Sequence, residues 1–162
     1  MSAAVQFCTF VLDGQLFGIE VSAVREVVRD QPITPVPLAP AAVRGLVNLR
    51  GRIVTAVDLR LCLGRPAGHP PGHPPPAGPG PGPGAATLRR ARNLVVLGEA
   101  HGDVSFIVDE VREVRAAGPE TFEPAPPTLG EAARGLIRGT HKLAERLLLI
   151  LDVPRTLEAA GA

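Results

Sequence analysis

The sequence has no Trp, no Tyr and only five Phe among 162 residues, and its charges nearly cancel, with 17 Lys and Arg against 16 Asp and Glu. Nucleic-acid binders need basic surfaces, and many of them also stack bases on aromatic rings. The composition therefore argues against a nucleic-acid partner. Hydrophobic residues make up 45% of the chain, which suffices to build a core and excludes a wholly disordered protein.

Long hydrophobic runs and cysteines are also scarce. No apolar run approaches the roughly 20 residues that a membrane-spanning helix requires. Residues 1–5 lack the basic and apolar stretches that begin a signal peptide. The two cysteines, Cys8 and Cys62, are too few for a disulfide framework and suit a reducing compartment. We therefore expect a soluble cytoplasmic protein that does not insert into a membrane.

Residues that could carry catalysis form no recognisable arrangement. None of the three Ser residues lies in a Gly-x-Ser-x-Gly motif. His69 and His73 have the spacing that binds a metal ion when a helix presents both rings. Pro70, Pro71 and Pro74 prevent a helix there. We expect no enzymatic activity, no cofactor and no metal site.

Proline and glycine are concentrated in one segment. Residues 65–84 contain nine of the 18 Pro and six of the 18 Gly, a composition that forms neither helix nor sheet. The sequence therefore predicts three parts. These are a first barrel at residues 1–64, a Pro/Gly-rich connecting loop at 65–92, and a second barrel with a C-terminal turn at 93–162.

The two flanking parts share short motifs in the same order, which predicts a duplicated supersecondary unit. The offsets between matching motifs are 87, 90 and 94 residues. The matching pairs are Val-Arg-Glu-Val at 24–27 and 111–114, Arg-Gly-Leu at 44–46 and 134–136, and apolar runs that end at Asp58 and at Asp152.

Short apolar and β-branched segments separated by turn signals dominate both parts. Residues 5–19 hold two such segments around Asp13-Gly14, which is a strong hairpin signal. Residues 43–58 hold two more around Arg50-Gly51. Gly51 fits the third position of a type II turn, which would leave Arg50 at the tip of a hairpin. The pattern predicts a mostly all-β fold of two small barrels or sandwiches with short helical turns.

Longer stretches resemble the CheW family, the coupling proteins of bacterial chemotaxis-type signalling. The most specific stretch is Gly45-Leu46-Val47-Asn48-Leu49-Arg50-Gly51, followed seven residues later by Asp58-Leu59-Arg60. Residues 107–114 and 149–153 extend the resemblance over nearly the whole chain outside the Pro/Gly segment. The resemblance implies two SH3-like five-stranded β-barrels in tandem. It also implies a non-enzymatic cytoplasmic adaptor, recruited to receptor arrays at the inner face of the membrane.

The resemblance further implies two partners and the residues that contact one of them. Members of the family link the cytoplasmic tip of a chemoreceptor to the regulatory domain of the histidine kinase CheA. In this sequence Glu26 and Arg50 match positions that form an acid–base pair. Carried over by position, the receptor site comprises Val24, Glu26, Arg50, Val111 and Val114. We expect Asn48, Gly51 and Asp58 to be structural turn residues.

The residues alone leave other interpretations open. Without the resemblance, residues 24–27 are a solvated strand, Arg50 is an ordinary turn residue, and Val111 and Val114 belong to the core. Two further functions stay open: a two-barrel domain that binds a small ligand between its lobes, and a CheW-like protein that keeps only one of the two partner surfaces. Thr55 replaces a Pro common in the family, which restores a backbone donor. The 20-residue Pro/Gly segment is also longer than the resemblance leads us to expect. Together these departures suggest a divergent member, one that could serve a system other than flagellar motility.

Overall fold

Strands make up most of this computed structural model, which describes residues 4–64 and 89–161. The predicted predominance of β-structure is confirmed. Segment 65–84, with His69 and His73, lies outside the described residues. Within the described ranges no helix is long and apolar enough to cross a membrane. The strands are β1 Val5–Leu12, β2 Gln15–Glu20, β3 Val24–Ile33, β4 Val43–Leu49, β5 Arg52–Asp58, β6 Arg89–Leu97, β7 Val104–Val108, β8 Glu110–Ala117, β9 Phe122–Glu123, β10 Ile137–Lys142 and β11 Leu147–Leu151, and the helices are α1 Leu59–Cys62, α2 Glu131–Leu136 and α3 Val153–Ala160.

The strands form two sheets, as expected for two barrel-like units. Sheet 1 has the order β8-β1-β2-β11-β10-β9, and sheet 2 has the order β3-β6-β7-β5-β4. Sheet 2 has the expected five strands, and sheet 1 has a sixth because the two-residue β9 pairs with β10. Most neighbours are antiparallel, but β2 pairs with β11 and β5 pairs with β7 in parallel.

The predicted boundaries of the two barrels are wrong, because each half of the chain contributes to both sheets. The β1–β2 hairpin joins strands β8–β11, and the β6–β7 hairpin joins strands β3–β5. The predicted loop at 65–92 also ends too late, since β6 begins at Arg89. Alternation and turn signals locate strands, but they do not specify which strands pair across some ninety residues.

The predicted duplication is visible in the pairing registers. The Val24–Leu97 pair between β3 and β6 corresponds to the Val111–Phe10 pair between β8 and β1. Equivalent residues in the two pairs are 87 positions apart (111 − 24 and 97 − 10). The later strands have an offset of 94 residues, because the pair 43 and 57 in β4–β5 corresponds to the pair 137 and 151 in β10–β11 (137 − 43 and 151 − 57). The predicted match of 44–46 with 134–136 is therefore wrong. Residues 134–136 lie in α2, and the counterpart of Arg44 is Arg138.

The main hydrophobic core lies between the two sheets and the three helices. It includes Phe10 and Phe17 from sheet 1, Phe106 from sheet 2, and Leu59 and Val153 from the first turns of α1 and α3. Each sheet also encloses a smaller apolar cluster of its own. Many strands are therefore buried on both faces, which explains why the sequence of β11 is a continuous apolar run.

Close backbone approaches shape both sheets at equivalent glycines. Sheet 2 curls until Thr34 and Leu46 exchange two backbone hydrogen bonds of 2.8 Å each. Gly45, with φ +150°, allows this approach, since a Cβ there would overlap the Thr34 carbonyl. At its counterpart Gly139, a Cβ would overlap the ring of Phe122. These two positions tolerate no side chain without local rearrangement.

A buried arginine joins the two sheets. Arg60 on α1 is 4% exposed. Its guanidinium forms an ion pair with Asp109 and lies 3.3 Å from Asp13. The Asp109 carboxylate also accepts the Asp13 N–H at 3.0 Å. Burial alone would lower the pKa of Arg60, but the hydrogen bond and charge of Asp109, with the charges of Asp13 and Asp58, raise it overall. Because Asp109 is the residue at which the chain passes from β7 in sheet 2 to β8 in sheet 1, this contact fixes the sheets relative to each other.

Sheet 1 encloses one buried histidine beside its short edge strand. His141 on β10 is 6% exposed. Its ring lies 5.4 Å from the rings of both Phe7 and Phe122. Its Nδ1 is 2.9 Å from the Thr121 hydroxyl. Burial lowers the pKa of His141, and the charge of Glu120 opposes the shift. The folded protein therefore favours the neutral imidazole.

We predict that Arg60→Ala destabilises the protein by about 3–5 kcal/mol, because it leaves the largely buried Asp109 without its cation. The matched control is Arg25→Ala, whose pair with Glu99 at 3.3 Å is exposed and should contribute less than about 1 kcal/mol. Urea unfolding monitored by circular dichroism measures both values. Equal losses in the two variants would contradict the assigned role of Arg60.

The pKa of His141 predicts that stability falls as the solution is acidified. The unfolded histidine titrates near 6.5 and the folded one at lower pH, so unfolding takes up a proton between these values. The contribution of neutral His141 is fully present above pH 6.5 and is lost as the pH drops towards the folded pKa. Urea midpoints measured from neutral to mildly acidic pH should show this slope in the parent protein and in His101→Gln, but not in His141→Gln. A slope that persists in His141→Gln would refute the assignment.

Candidate functional site

Arg50 lies at the tip of the hairpin that joins β4 and β5. Leu49 pairs with Arg52, so the turn has two residues. Arg50 has φ +55° and Gly51 φ +84°, which makes this a type I′ turn and not the predicted type II. The twist of a type I′ turn matches that of the strands it joins, which explains the difference. The Asn48 side-chain carbonyl accepts the Gly51 N–H at 2.9 Å and closes the turn.

The structure brings Arg50 and Glu26 together. The Arg50 side chain is 86% exposed, and its Nη2 lies 3.4 Å from Oε2 of Glu26, whose side chain is 30% exposed. Glu26 is on β3, and the curl of sheet 2 brings this strand close to the hairpin. The predicted acid–base pairing is therefore present. An exposed pair adds little stability, so its main effect is to orient the Arg50 fork at the surface.

The three valines occupy different environments. Val24 on β3 and Val111 on β8 are half-buried against the main core. Val114 is 55% exposed on β8, at the edge of sheet 1. Each Val-Arg-Glu-Val motif lies at a register shift, which produces a bulge in its edge strand. The five predicted receptor residues are thus divided between the sheets, with Val24, Glu26 and Arg50 on sheet 2.

Asp58 is the last residue of β5, immediately precedes α1 and is 8% exposed. Its carboxylate accepts the backbone N–H of Arg60 at 3.1 Å and lies 3.4 Å from Nε of Arg44. Its counterpart Asp152 accepts the N–H of Arg155, three residues later instead of two, at 3.1 Å. These carboxylates are N-caps that connect a strand to a helix. The geometry assigns Asp58 a structural function.

Thr55 uses the backbone donor that a proline would lack. Its N–H donates to the Asp103 carbonyl at 2.8 Å, and its own carbonyl accepts the Ser105 hydroxyl at 3.1 Å. The parallel pair of β5 and β7 therefore begins one bond earlier than a Pro at this position would allow. The departure from the family pattern strengthens the contact between the two halves of the chain.

The described residues offer little for covalent or metal chemistry. Burial raises the pKa of the Cys8 thiol. Burial and the charge of Asp58 raise that of Cys62 to about 11. Because both pKa values are raised, both thiols remain protonated at neutral pH. A thiol must ionise to act as a nucleophile, so neither is activated. Within residues 4–64 and 89–161, no three His, Cys, Asp or Glu side chains converge on a metal position. The Arg50–Glu26 surface is suited to contact with another molecule.

The motif Asp58-Leu59-Arg60 does not by itself indicate the buried role of Arg60. The signal is that it is the single charged residue between 59 and 63, where its neighbours are Leu and Cys. Such a position is buried by its neighbours, and a buried arginine requires carboxylate partners. The sequence does not reveal which carboxylates these are, because Asp109 lies 49 residues away.

The family follows from a comparison with known protein families. A model of the CheW-like domain matches residues 6–161. The chain belongs to the CheW-like family of chemotaxis adaptors. The CheW-like fold is also found in a solved scaffolding protein, TtCheW from Thermoanaerobacter tengcongensis. The two chains superpose with a TM-score of 0.70 and 24% identity, over 94% of this chain and 90% of that one.

Similar sequences carry the same family name. A chemotaxis protein CheW of Treponema pallidum is 27% identical over 91% of this chain and 79% of that protein. One from Helicobacter pylori is 28% identical over 95% and 82%, and one from Klebsiella aerogenes is 27% identical over 95% and 82%. The matches span both halves of this CheW-like chain.

The type I′ turn predicts that Gly51→Ala destabilises the CheW-like domain by about 1 kcal/mol, because alanine is strained at positive φ. The matched control is Gly135→Ala within α2, where an added Cβ meets nothing within 4 Å and φ is not positive. It should stabilise the domain by about 0.5–1 kcal/mol. Thermal unfolding of both variants checks the signs. Stabilisation by Gly51→Ala would rule out the turn type.

Proposed function

We propose that this protein is a non-enzymatic adaptor that couples chemoreceptors to a CheA-type histidine kinase. Its receptor partner is the cytoplasmic tip of a methyl-accepting chemoreceptor, and its kinase partner is the regulatory domain of the kinase. Both partners place it at receptor arrays on the inner face of the membrane. The observation that carries the proposal is the exposed Arg50 fork, held at a rigid turn by Glu26. The family membership supports the assignment of partners.

The receptor surface comprises Val24, Glu26, Arg50, Val111 and Val114. Arginine is enriched at interface hot spots because its planar fork donates several hydrogen bonds to carboxylates or carbonyls. Here the fork stands on a two-residue turn, so little backbone freedom is lost on binding. The exposed Val114 and the half-buried Val24 and Val111 supply apolar contact area on both sheets. This mixture suits one face of an amphipathic receptor helix.

The absence of an enzymatic role is supported by the state of the reactive groups. The Cys62 thiol has a pKa of about 11 and is buried. The Glu26 carboxylate is engaged in the ion pair with Arg50. An adaptor needs only surfaces. Modest affinity at each surface suffices, because many contacts act together in an array.

The coupling role is tested by size-exclusion chromatography of the full chain with each partner separately. One mixture contains the regulatory domain of the cognate kinase, and the other contains a receptor signalling-tip fragment. Co-elution with both supports coupling. Co-elution with one means that a single partner surface has been kept. Co-elution with neither partner, at high micromolar concentration of folded protein, overturns the adaptor proposal.

We predict that Arg50→Ala weakens binding to the receptor fragment at least about tenfold, equivalent to about 1.4 kcal/mol. Arg50→Glu should weaken it further, and combining it with Glu26→Arg should restore part of the loss by re-forming the pair. The control is Arg25→Ala, an exposed arginine on the same strand as Glu26. Titration calorimetry measures each affinity. Unchanged binding by Arg50→Ala, with kinase binding intact, would contradict the site and leave the adaptor role standing.

A further inference from the structure

The segment between β3 and β4 carries an apolar side chain that is entirely in water. Leu38 has a relative exposure of 105%, whereas the next most exposed large apolar residue of the described chain, Val114, is at 55%. Val36, two residues before Leu38, is 37% exposed. Single apolar residues are common on protein surfaces, but their neighbours normally cover part of them. The fold covers no part of Leu38.

The backbone conformation at Leu38 is also unfavourable for leucine. Its φ is +59°, and it is the one apolar residue among the four non-glycine residues of the described chain with positive φ. Pro37 precedes it, and a proline followed by a residue of positive φ is the pattern of a type II turn. Gly or Asn is favoured at that position, because larger side chains are strained there. Leucine at position 38 therefore adds nothing to the stability of the isolated fold.

The second half of the chain has a helix at the equivalent place. The carbonyls of Ala42 and Leu136 accept equivalent hydrogen bonds, each of 2.7 Å, from the N–H groups of the aspartates that precede α1 and α3. At this offset of 94 residues, segment 37–42 corresponds to α2, which packs against α3. Pro40 would fall inside that helix and excludes it. The first half therefore forms a turn, and Leu38 lies at its tip.

Hydrogen bonds fix the segment at both of its ends. At its start, Thr34 and Leu46 exchange the two backbone hydrogen bonds of 2.8 Å, and at its end the Val43 N–H donates to the Pro40 carbonyl at 2.9 Å. Three prolines between residues 35 and 40 restrict the backbone between these ends. A restrained tip loses little conformational entropy when it binds. The turn is thus a preformed apolar projection.

The projection lies at the opposite end of sheet 2 from Arg50. Strand β4 runs from Val43, beside the projection, to Leu49, beside Arg50, and its seven residues span about 20 Å. Strand β3 runs the other way, with Glu26 near its first residue and Ile33 at the end that enters the segment. A partner that covers Arg50 and Glu26 therefore leaves the projection free for a second partner.

We propose that Leu38, with Val36 beside it, is an anchor that inserts into an apolar pocket on the regulatory domain of the kinase. The identity of this partner rests on the function proposed above. An adaptor that holds both partners at once needs a kinase surface remote from Arg50, and the projection is remote. Residues 31–43 include no charged side chain, so the complementary surface is apolar. Burial in the complex recovers the transfer free energy that leucine forgoes in water.

The test compares the full chain with its Leu38→Asn variant by titration calorimetry, against the cognate regulatory domain and, separately, against the receptor signalling-tip fragment. We expect Leu38→Asn to bind the regulatory domain at least about tenfold more weakly, because the apolar anchor is gone. It should bind the receptor fragment as the parent does. Its melting temperature should rise by about 2–4 °C, because asparagine is less strained at positive φ. A residue that supports the fold would lower the melting temperature instead.

Two control variants separate the side chain from the turn. Leu38→Met keeps an apolar side chain of similar volume at the same φ and should retain most of the kinase binding. Ile53→Asn replaces another exposed apolar residue, 52% exposed and close to Arg50, and should leave kinase binding unchanged. An equal loss in Leu38→Asn and Ile53→Asn, or a lower melting temperature of Leu38→Asn, overturns the proposal.

The parent chain distinguishes the anchor from the adaptor role. If the parent binds the regulatory domain and Leu38→Asn binds it equally well, the anchor is wrong and the adaptor role stands. If Leu38→Asn loses receptor binding in place of kinase binding, the projection belongs to the receptor surface and the kinase assignment is wrong. If the parent itself does not bind the regulatory domain, the kinase part of the proposed function fails, and the anchor fails with it.

Discussion

The ion pair between Arg60 and Asp109 determines how the two sheets stand relative to each other. Arg60 follows the last strand of sheet 2 before the helix, and Asp109 is the residue at which the chain crosses into sheet 1. The same guanidinium lies near Asp13 at the tip of the β1–β2 hairpin. A buried cation without its carboxylates is costly, so an arrangement that separates these residues is disfavoured. The position of β8, and of Val111 and Val114 on it, therefore depends on charge pairing as well as on strand hydrogen bonds.

Two arginines on neighbouring elements show how exposure decides the effect of one residue type. The side chain of Arg60 is 5% exposed and that of Arg50 is 86% exposed, and each has an acidic partner. In the core the ion pair stabilises the fold, because a buried charge without a partner has lost its hydration and gained nothing in return. At the surface the pairing contributes little to stability. It leaves the donors of Arg50 available to another protein.

The strands and turns could be predicted because they depend on local chemistry. The Asp13-Gly14 and Arg50-Gly51 hairpins are where the residues place them, and Glu26 and Arg50 meet as the resemblance implied. The exchange of hairpins between halves could not be predicted, since strand pairing across some ninety residues leaves no local mark. The buried role of Arg60 was missed because its main partner lies 49 residues away. The turn type at Arg50 could not be predicted because a glycine at the third position of the turn fits both type II and type I′. Only the twist of the strands selects type I′.

The exchange of hairpins has a consequence for the origin of the fold. Each half of the chain is an incomplete unit whose hairpin completes the sheet of the other half. A half-length ancestor would therefore have buried its apolar strands only by pairing with a second copy, each copy lending its hairpin to the other. Fusion of the two copies makes that exchange intramolecular and frees them to diverge. The buried cluster of Arg60, Asp13 and Asp109 exists at one cap alone, since Pro154, Ala100 and Ser22 stand at the equivalent positions, and two identical subunits could not have differed in this way.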